Sequence, residues 1–306
     1  FAPRNDDRTS WGRKTMLAER LPTILPDMSW DERFETTRIH DVAGLLEKNT
    51  LISRRPFRGP HHTATLASII GGGSNAKPGE ITLAHNGVLF IDEAPEFPRF
   101  ILDALRQPLE SHMITVNRLQ NSYEYPAKFI CVLAANPCPC GYYGDPHKEC
   151  VCSSTEFMKY QNKISGPILD RIDLYISVER PSFNDMLLTN EDSLSSSDMK
   201  DLVERGRNIQ LERFKDCTFK TNGSMPHRAI RELCNIQDDC WNLLSDVYER
   251  FHFTGRSFDR LLKVSRTIAD MDGSLYVEKE HISEAMLYRH TPFHVSRIGD
   301  HDGTTV

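Results

Sequence analysis

The chain has 306 residues, 39% of them apolar and 26% charged, with 37 Lys and Arg against 43 Asp and Glu for a net charge of -6. That length buries a core without crosslinks, so a disulfide-held mini-protein, a disordered chain and a collagen-like chain are excluded, and the acidic balance excludes a uniformly basic nucleic-acid coat. No run reaches the ~18 apolar residues of a membrane span and no basic-then-apolar leader opens the chain, which gives the expectation of a cytoplasmic protein with no membrane partner. Phe1 in place of an initiator Met leads to the expectation of a fragment of something longer.

In chain order, 15–39 reads as a helix, a loop marked by Pro22 and Pro26, and a second helix capped by Ser29 with Glu32 three residues on. The stretch 54–79 is rich in Gly, Pro, His and Arg and ends in the loop signal GGGSNAKPG. GVLFIDE at 87–93 has the continuous apolar run of a strand buried on both faces of a parallel sheet. A helix is expected from about 98 to 110, then a hairpin from MITVNR and SYEYPA about the turn LQN. FICVLAAN at 129–136 predicts a second buried strand and DRIDLYISVER at 170–180 a third. After Pro181 the text turns polar and Ser-rich, and 199–290 carries helical spacing with no strand-like run. The domain reading is therefore an α/β unit over 1–181, a linker at 182–198, an all-helical unit at 199–290 and a disordered tail at 291–306.

The sharpest chemical signal is VLFIDE. A buried strand that ends in two carboxylates can hold Mg²⁺ with the first, Asp92, and deprotonate an attacking water with the second, Glu93. The plainer reading is an acidic helix start. Asn136 ends the next strand, where its amide would hold the attacking water, since strand ends on an open α/β sheet converge on one crevice. Arg171 stands between acids in LDRID, placed either to reach a neighbouring subunit's phosphate or to pair with Asp170 or Asp173. Cys138, Cys140, Cys150 and Cys152 form C-x-C-x9-C-x-C, which fits a structural Zn²⁺ site, with His147 as a substitute ligand and free thiols or a regulatory disulfide as the alternatives. Cys131, Cys217, Cys234 and Cys240 read as packing residues, and His61 and His62 as loop or interface residues.

With those motifs, the run RRPFRGPHHTATLASIIGGGSNAKPGEITLAHNGVLFIDEAPEF, then LDALRQPLE, AANPCPCGYYGDP, ISGPILDRIDL and VSRTIADMDG, resembles the magnesium-chelatase-like AAA+ ATPases of the ComM/YifB family from about Lys14 to Tyr288. The resemblance implies a three-layer αβα P-loop NTPase domain followed by an all-helical lid. It implies a hexameric, ATP- and Mg²⁺-dependent DNA branch-migration helicase, with Asp92 and Glu93 as the Walker B pair, Asn136 as sensor 1, Arg171 as the arginine finger and Arg256 as sensor 2. Relatives tend to carry Ala where this chain has Gly255. The hairpin tip with Arg118 and Asn121, and the Gly-rich loop with Asn75 and Lys77, are the DNA-facing candidates. Against these stand an Arg118–Glu124 cross-strand pair and an ordinary flexible turn. A chelatase-type motor that remodels a protein partner would share the same ATP site. The family normally also carries an N-terminal Lon-protease-like domain, and the expectation from Phe1 is that this sequence begins after it.

One departure matters. A phosphate loop needs glycines so that bare backbone N–H groups wrap the phosphates, then Lys and Ser/Thr. Relatives read GPPGxGKTMLA where this chain reads RTSWGRKTMLA, which keeps Lys14 and Thr15 but puts bulky side chains where the loop glycines belong. Codons can be chosen for residues 8–13 that also spell Gly-Pro-Pro-Gly-Ala one base later, and FAPRNDD can be encoded so that it shifts likewise to an apolar strand, with the genomic sequence as the test. Residues 1–13 are thus expected to be an out-of-frame remnant, and an inactive scaffold or pseudogene product is the third functional reading.

Overall fold

The computed structural model describes residues 11–47, 50–72, 76–117, 122–145, 148–178 and 194–289. Among them the contacts divide the chain into two compact units, one ending at Arg171 and rejoined at Val178, the other containing Ile172–Ser177 and everything from Leu194.

The first unit is α/β. Helix α1 (Trp11–Ile24) runs past Pro22, contrary to the expected loop there; a proline in the last turn removes only one N–H bond and leaves the rest of the helix intact. Helix α2 (Trp30–Val42) starts at Ser29, whose side chain accepts from the Glu32 N–H while Glu32 accepts from the Ser29 N–H. Strand β1 (Phe57–Arg58) leads through α3 (Leu66–Ile70), the short β2–β3 pair (Gly71–Gly72, Lys77–Pro78) and α4 (Glu80–Leu83) to β4 (Val88–Ile91), every residue of which is buried. Gly87 opens β4 because a Cβ there would stand 2.0 Å from the Pro56 carbonyl oxygen, which accepts from the Val88 N–H. Beyond a 3₁₀ turn at Ala94–Glu96, the single helix expected over 98–110 is two, α5 (Arg99–Ala104) and α6 (Arg106–Ser111). Pro108 has no N–H to offer Ala104, and the chain bends at Leu105. The hairpin follows as read, β5 (Met113–Asn117) antiparallel to β6 (Ser122–Pro126) with Thr115 opposite Glu124. Strand β7 (Ile130–Leu133), then α7 (Ser154–Gln161) and α8 (Gly166–Leu169), complete the unit.

The parallel sheet has the order β1-β4-β7, with Val88 beside Phe57 on one side and Ile130 on the other. Helix α1 packs on it through Ala18, which clusters with Phe90 and Ala134 and against Phe57 and Val132. Two expectations need correction. β7 is not a buried strand: it is the edge among the described residues, and Ile130 is 42% exposed. Residues 172–178 are not a strand either, because a strand exists only by pairing. The Tyr175 N–H instead donates to the Tyr288 carbonyl at 2.8 Å, and the Arg289 guanidinium donates to the carbonyls of Ile172 and Asp173.

The second unit is helical: α9 (Ser196–Arg213), α10 (His227–Leu233), α11 (Cys240–Arg250), α12 (Gly255–Asp272) and α13 (Lys279–Leu287). Ser195, in the stretch read as linker, caps α9. Phe214, Met225, Ile230, Leu244, Leu261, Leu262 and Ile282 form its core. Beside that core lies an ionic centre. Asp270 is fully buried and accepts from Arg213, from the Arg266 Nε at 3.0 Å and from the Asn222 amide at 2.7 Å, while Arg266, also fully buried, donates to the carbonyls of Cys234, Ser274 and Leu275. Burial pulls the Arg266 guanidinium down from its ordinary range, and the Asp270 charge opposes that pull.

Candidate nucleotide site at the strand ends

Parallel pairing of β4 with β7 continues past their ends: the Ala134 N–H donates to Ile91 and the Ala94 N–H to Ala134, at 2.9 and 2.8 Å. Asp92, Glu93 and Asn136 therefore leave the sheet at one edge. Helix α1 brings Lys14 and Thr15 to the same place. The Thr15 hydroxyl donates to Asp92 Oδ2 at 2.9 Å; the Lys14 ammonium donates to the Ala135 carbonyl at 2.7 Å and to Asn136 Oδ1 at 3.1 Å. Lys14, Asp92, Glu93, Ala134, Ala135 and Asn136 line a small, partly open recess with room of about 10 Å³, enough for a single water. Partial burial lowers the Lys14 pKa from its ordinary value, with the Asp92 charge working the other way.

Glu93 sits in the left-handed backbone region, φ 50° and ψ 44°, with its N–H donating to Asp92 Oδ1 at 2.9 Å. A non-glycine residue held there costs energy, and here the turn separates the two carboxylates so that Asp92 faces Thr15. The donor set fits a magnesium-bound phosphate: a hydroxyl and a carboxylate in contact for the metal, and a lysine for the phosphate. The text before Lys14 fits less well, since five of the six residues at 8–13 carry side chains where a phosphate needs bare backbone.

His62 lies outside the residues singled out from sequence as catalytic, yet its Nδ1 is 3.7 Å from Glu93 Oε2, and its ring packs on His61 at 4.0 Å between centroids. No local signal announces this. The parallel β1–β4 pairing carries the loop after β1 to the end of β4.

Of the remaining sequence candidates, Arg171 is held within the first unit. Arg171, with a side chain only 13% exposed, pairs with Glu110 and donates to the Pro167 carbonyl at 2.7 Å; neither Asp170 nor Asp173 is its partner. Asp173 pairs instead with Arg260 at 2.8 Å. Arg256 is exposed in the first turn of α12, behind the cap Thr254, in the second unit. Lys77 is exposed on β3. Arg118, Asn121, Asn75 and His147 lie outside the described residues. Cys138, Cys140, Cys150 and Cys152 do come together, all four Sγ atoms within 4.8 Å of one another.

A parallel sheet with two carboxylates at one strand end, a polar amide at the next and a Lys-Thr pair on the preceding helix has the fold of a P-loop NTPase domain, with a helical unit following it in the chain. The model for magnesium chelatase, subunit ChlI, matches residues 10–186, and that for the ChlI C-terminal region matches 193–289. The chain belongs to this magnesium-chelatase-like family of AAA+ type, in its ComM/YifB branch. It is 40% identical to the uncharacterized protein YifB of Escherichia coli over 276 residues and 40% identical to the competence protein ComM of Haemophilus influenzae over 279, each alignment covering 90% of this chain and 53% of the relative. It is 38% identical to an uncharacterized protein of Mycobacterium bovis over 280 residues, 91% of this chain and 55% of that one. The chain thus spans about half the length of the curated relatives it matches.

Proposed function

We propose that this chain carries the ATP-hydrolysing core of a ring-forming, cytoplasmic AAA+ motor that acts on DNA, with residues 1–181 as the ATPase core, 182–198 as linker and 199–290 as lid. The observation that carries the reading is the Thr15–Asp92 contact beside Lys14, Glu93 and Asn136, five groups from three elements at one strand-end recess. ATP with Mg²⁺ supplies the phosphoanhydride to be cleaved. Thr15 and Asp92 would hold the metal and Lys14 the phosphate oxygens. Asn136 orients the attacking water and Glu93 takes its proton. Arg171 acts on a neighbouring subunit's phosphate once released from Glu110, and Arg256 couples the lid to the nucleotide. The name of the Haemophilus relative, a competence protein, supports DNA as the substrate. Lys77, Arg118 and Asn121 would meet its phosphates from each subunit of a hexamer.

A second reading has its own observation. With RTSWGR before Lys14, the chain as written lacks the wrapping backbone and is an inactive member of its family. The two readings separate in one experiment. The natural chain and a version with GPPGAG at 8–13 are assayed for ATP turnover with and without branched DNA. DNA-stimulated turnover in both chains supports the first reading as it stands; turnover in the altered chain alone supports inactivity for the natural chain and keeps the motor reading for the site it inherits. Turnover absent from both would overturn the motor reading, and turnover without any DNA response, together with binding to a chelatase partner, would redirect it to protein remodelling.

A further inference from the structure

The segment between Asn136 and α7 has no apolar reason to fold. Among the described residues, Cys138 is the sole buried apolar side chain between Ala134 and Tyr160; Val151 is 83% exposed and Tyr143 45%. Yet the segment's described residues have a definite shape. Gly141 and Gly144 take left-handed turns, Tyr143 packs on Phe157 of α7 with ring centroids 4.4 Å apart, and the Lys148 ammonium lies over Tyr142. At its centre are four sulfurs. Cys138 Sγ is 3.3 Å from Cys140 Sγ and 3.6 Å from Cys150 Sγ, Cys140 Sγ is 3.6 Å from Cys150 Sγ, and Cys152 completes a group with all Sγ atoms within 4.8 Å.

Those separations discriminate between chemistries. A disulfide requires about 2.0 Å and would take two sulfurs out of the group. Sulfurs bound tetrahedrally at about 2.3 Å from one ion stand about 3.8 Å apart, close to the spacing observed. Backbone amides converge on the same sulfurs. The Tyr143 N–H donates to Cys138 Sγ at 3.3 Å, and the N–H groups of Tyr142 and Val151 face Cys140. Such donors stabilise thiolates, the form a metal needs, and hold ligands in place. Four reduced thiols packed together would offer only weak S–H bonds for the same ordering.

We propose that Cys138, Cys140, Cys150 and Cys152 form a closed tetrathiolate site for a structural Zn²⁺. The ion staples the end of β7 to the start of α7. The first ligand stands two residues after Asn136 and the last directly before Ser153, the α7 cap whose side chain accepts from the Glu156 N–H. The staple closes on the far side as well, because the buried Tyr160 of α7 accepts a hydrogen bond from the Asn136 backbone. With four protein ligands the ion has no open position, so its role is folding and not chemistry. Oxygen-preferring Mg²⁺ and Ca²⁺ are excluded by the donor set.

The test needs no nucleotide, so its outcome is independent of the ATPase reading. The full chain, purified under reducing conditions without added metal, should carry about one zinc per chain by elemental analysis. Exchange for Co²⁺ should give the intense sulfur-to-cobalt charge-transfer band and ligand-field spectrum of a tetrahedral thiolate site. Cys150→Ser with Cys152→Ser should lose the metal and expose the 137–152 segment to protease, whereas Cys217→Ser, outside the cluster, should keep both metal and protection. Cys152→His should retain zinc, since imidazole substitutes for thiolate. A folded natural chain with near-zero metal, or a double Ser variant with undiminished zinc, overturns the assignment.

Discussion

Two carboxylates in this molecule sit in opposite surroundings. Asp270 in the helical unit is wholly buried and surrounded by donors from Arg213, Arg266 and Asn222, whereas Asp92 in the α/β unit is partly exposed, with Thr15 and a backbone N–H against it and a solvent-reaching recess beside it. The first spends all of its acceptor capacity inside the fold; the second keeps some for a ligand. A buried acid with its partners complete is structural, and an acid at a strand end with room beside it is poised for chemistry.

Replacing each acid should sharpen that contrast. Asp270→Ala leaves Arg266 charged and buried without its carboxylate, at a cost of about 3–5 kcal/mol, so the helical unit should unfold at markedly lower urea concentration. Asp92→Ala, at a half-open position, should shift the urea midpoint far less while abolishing Mg²⁺-dependent nucleotide binding in the chain with GPPGAG at 8–13. If the two variants lost equal stability, the division between structural and chemical acids would fail.

Arg171 probes the same distinction among cations. In the chain with GPPGAG at 8–13, the proposed finger role predicts that Arg171→Ala lowers turnover by ~10³-fold in assembled rings, because an arginine finger acts across the subunit boundary. Mixing it with Glu93→Gln subunits should restore part of the activity, as some interfaces then combine an intact Glu93 with an intact Arg171. A defect confined to each variant's own site would make Arg171 a local partner of Glu110.

Smaller effects come from the histidines of the α/β unit. His40 and His112 both have pKa values lowered by burial, His40 while its Nε2 meets the Leu83 carbonyl at 3.1 Å. Below the ordinary value of about 6.5 the unfolded chain takes up protons that the folded chain refuses, so stability should fall as pH drops through 6.5 toward the folded values and level off above it. Thermal melts from pH 7.5 to 5 should show this decline, and His40→Gln should flatten part of it. A melting temperature that rises on acidification would contradict the sign.

What could be read in advance follows a physical pattern. The β4 run, the Ser29 and Glu32 cap and the β5–β6 hairpin are set by neighbours a few residues apart, and local chemistry announces them. The break at Leu105 was in principle legible from Pro108. The strand expected at 170–180, of which 179–180 lie outside the described residues, was not to be had from its own residues, because a strand exists only by pairing, and groups at Ile172, Asp173 and Tyr175 found Tyr288 and Arg289 instead. His62 beside Glu93 was hidden, as was the convergence of Arg213 and Asn222 on Asp270, both products of long-range packing, whereas the Arg266–Asp270 pair is a local i, i+4 contact within α12. The cysteine cluster was legible in spacing alone, whereas the convergence of backbone N–H groups on its sulfurs needed coordinates.

The measurement that bears hardest on the nucleotide site is Glu93→Gln in the chain carrying GPPGAG at 8–13. An amide keeps the shape of the carboxylate but cannot accept the water's proton, so Mg²⁺-dependent ATP binding should persist, the urea midpoint should hold, and hydrolysis should fall to background. Undiminished turnover in that variant would remove Glu93 from the chemistry and, with it, the reading of this strand-end recess as an ATPase centre.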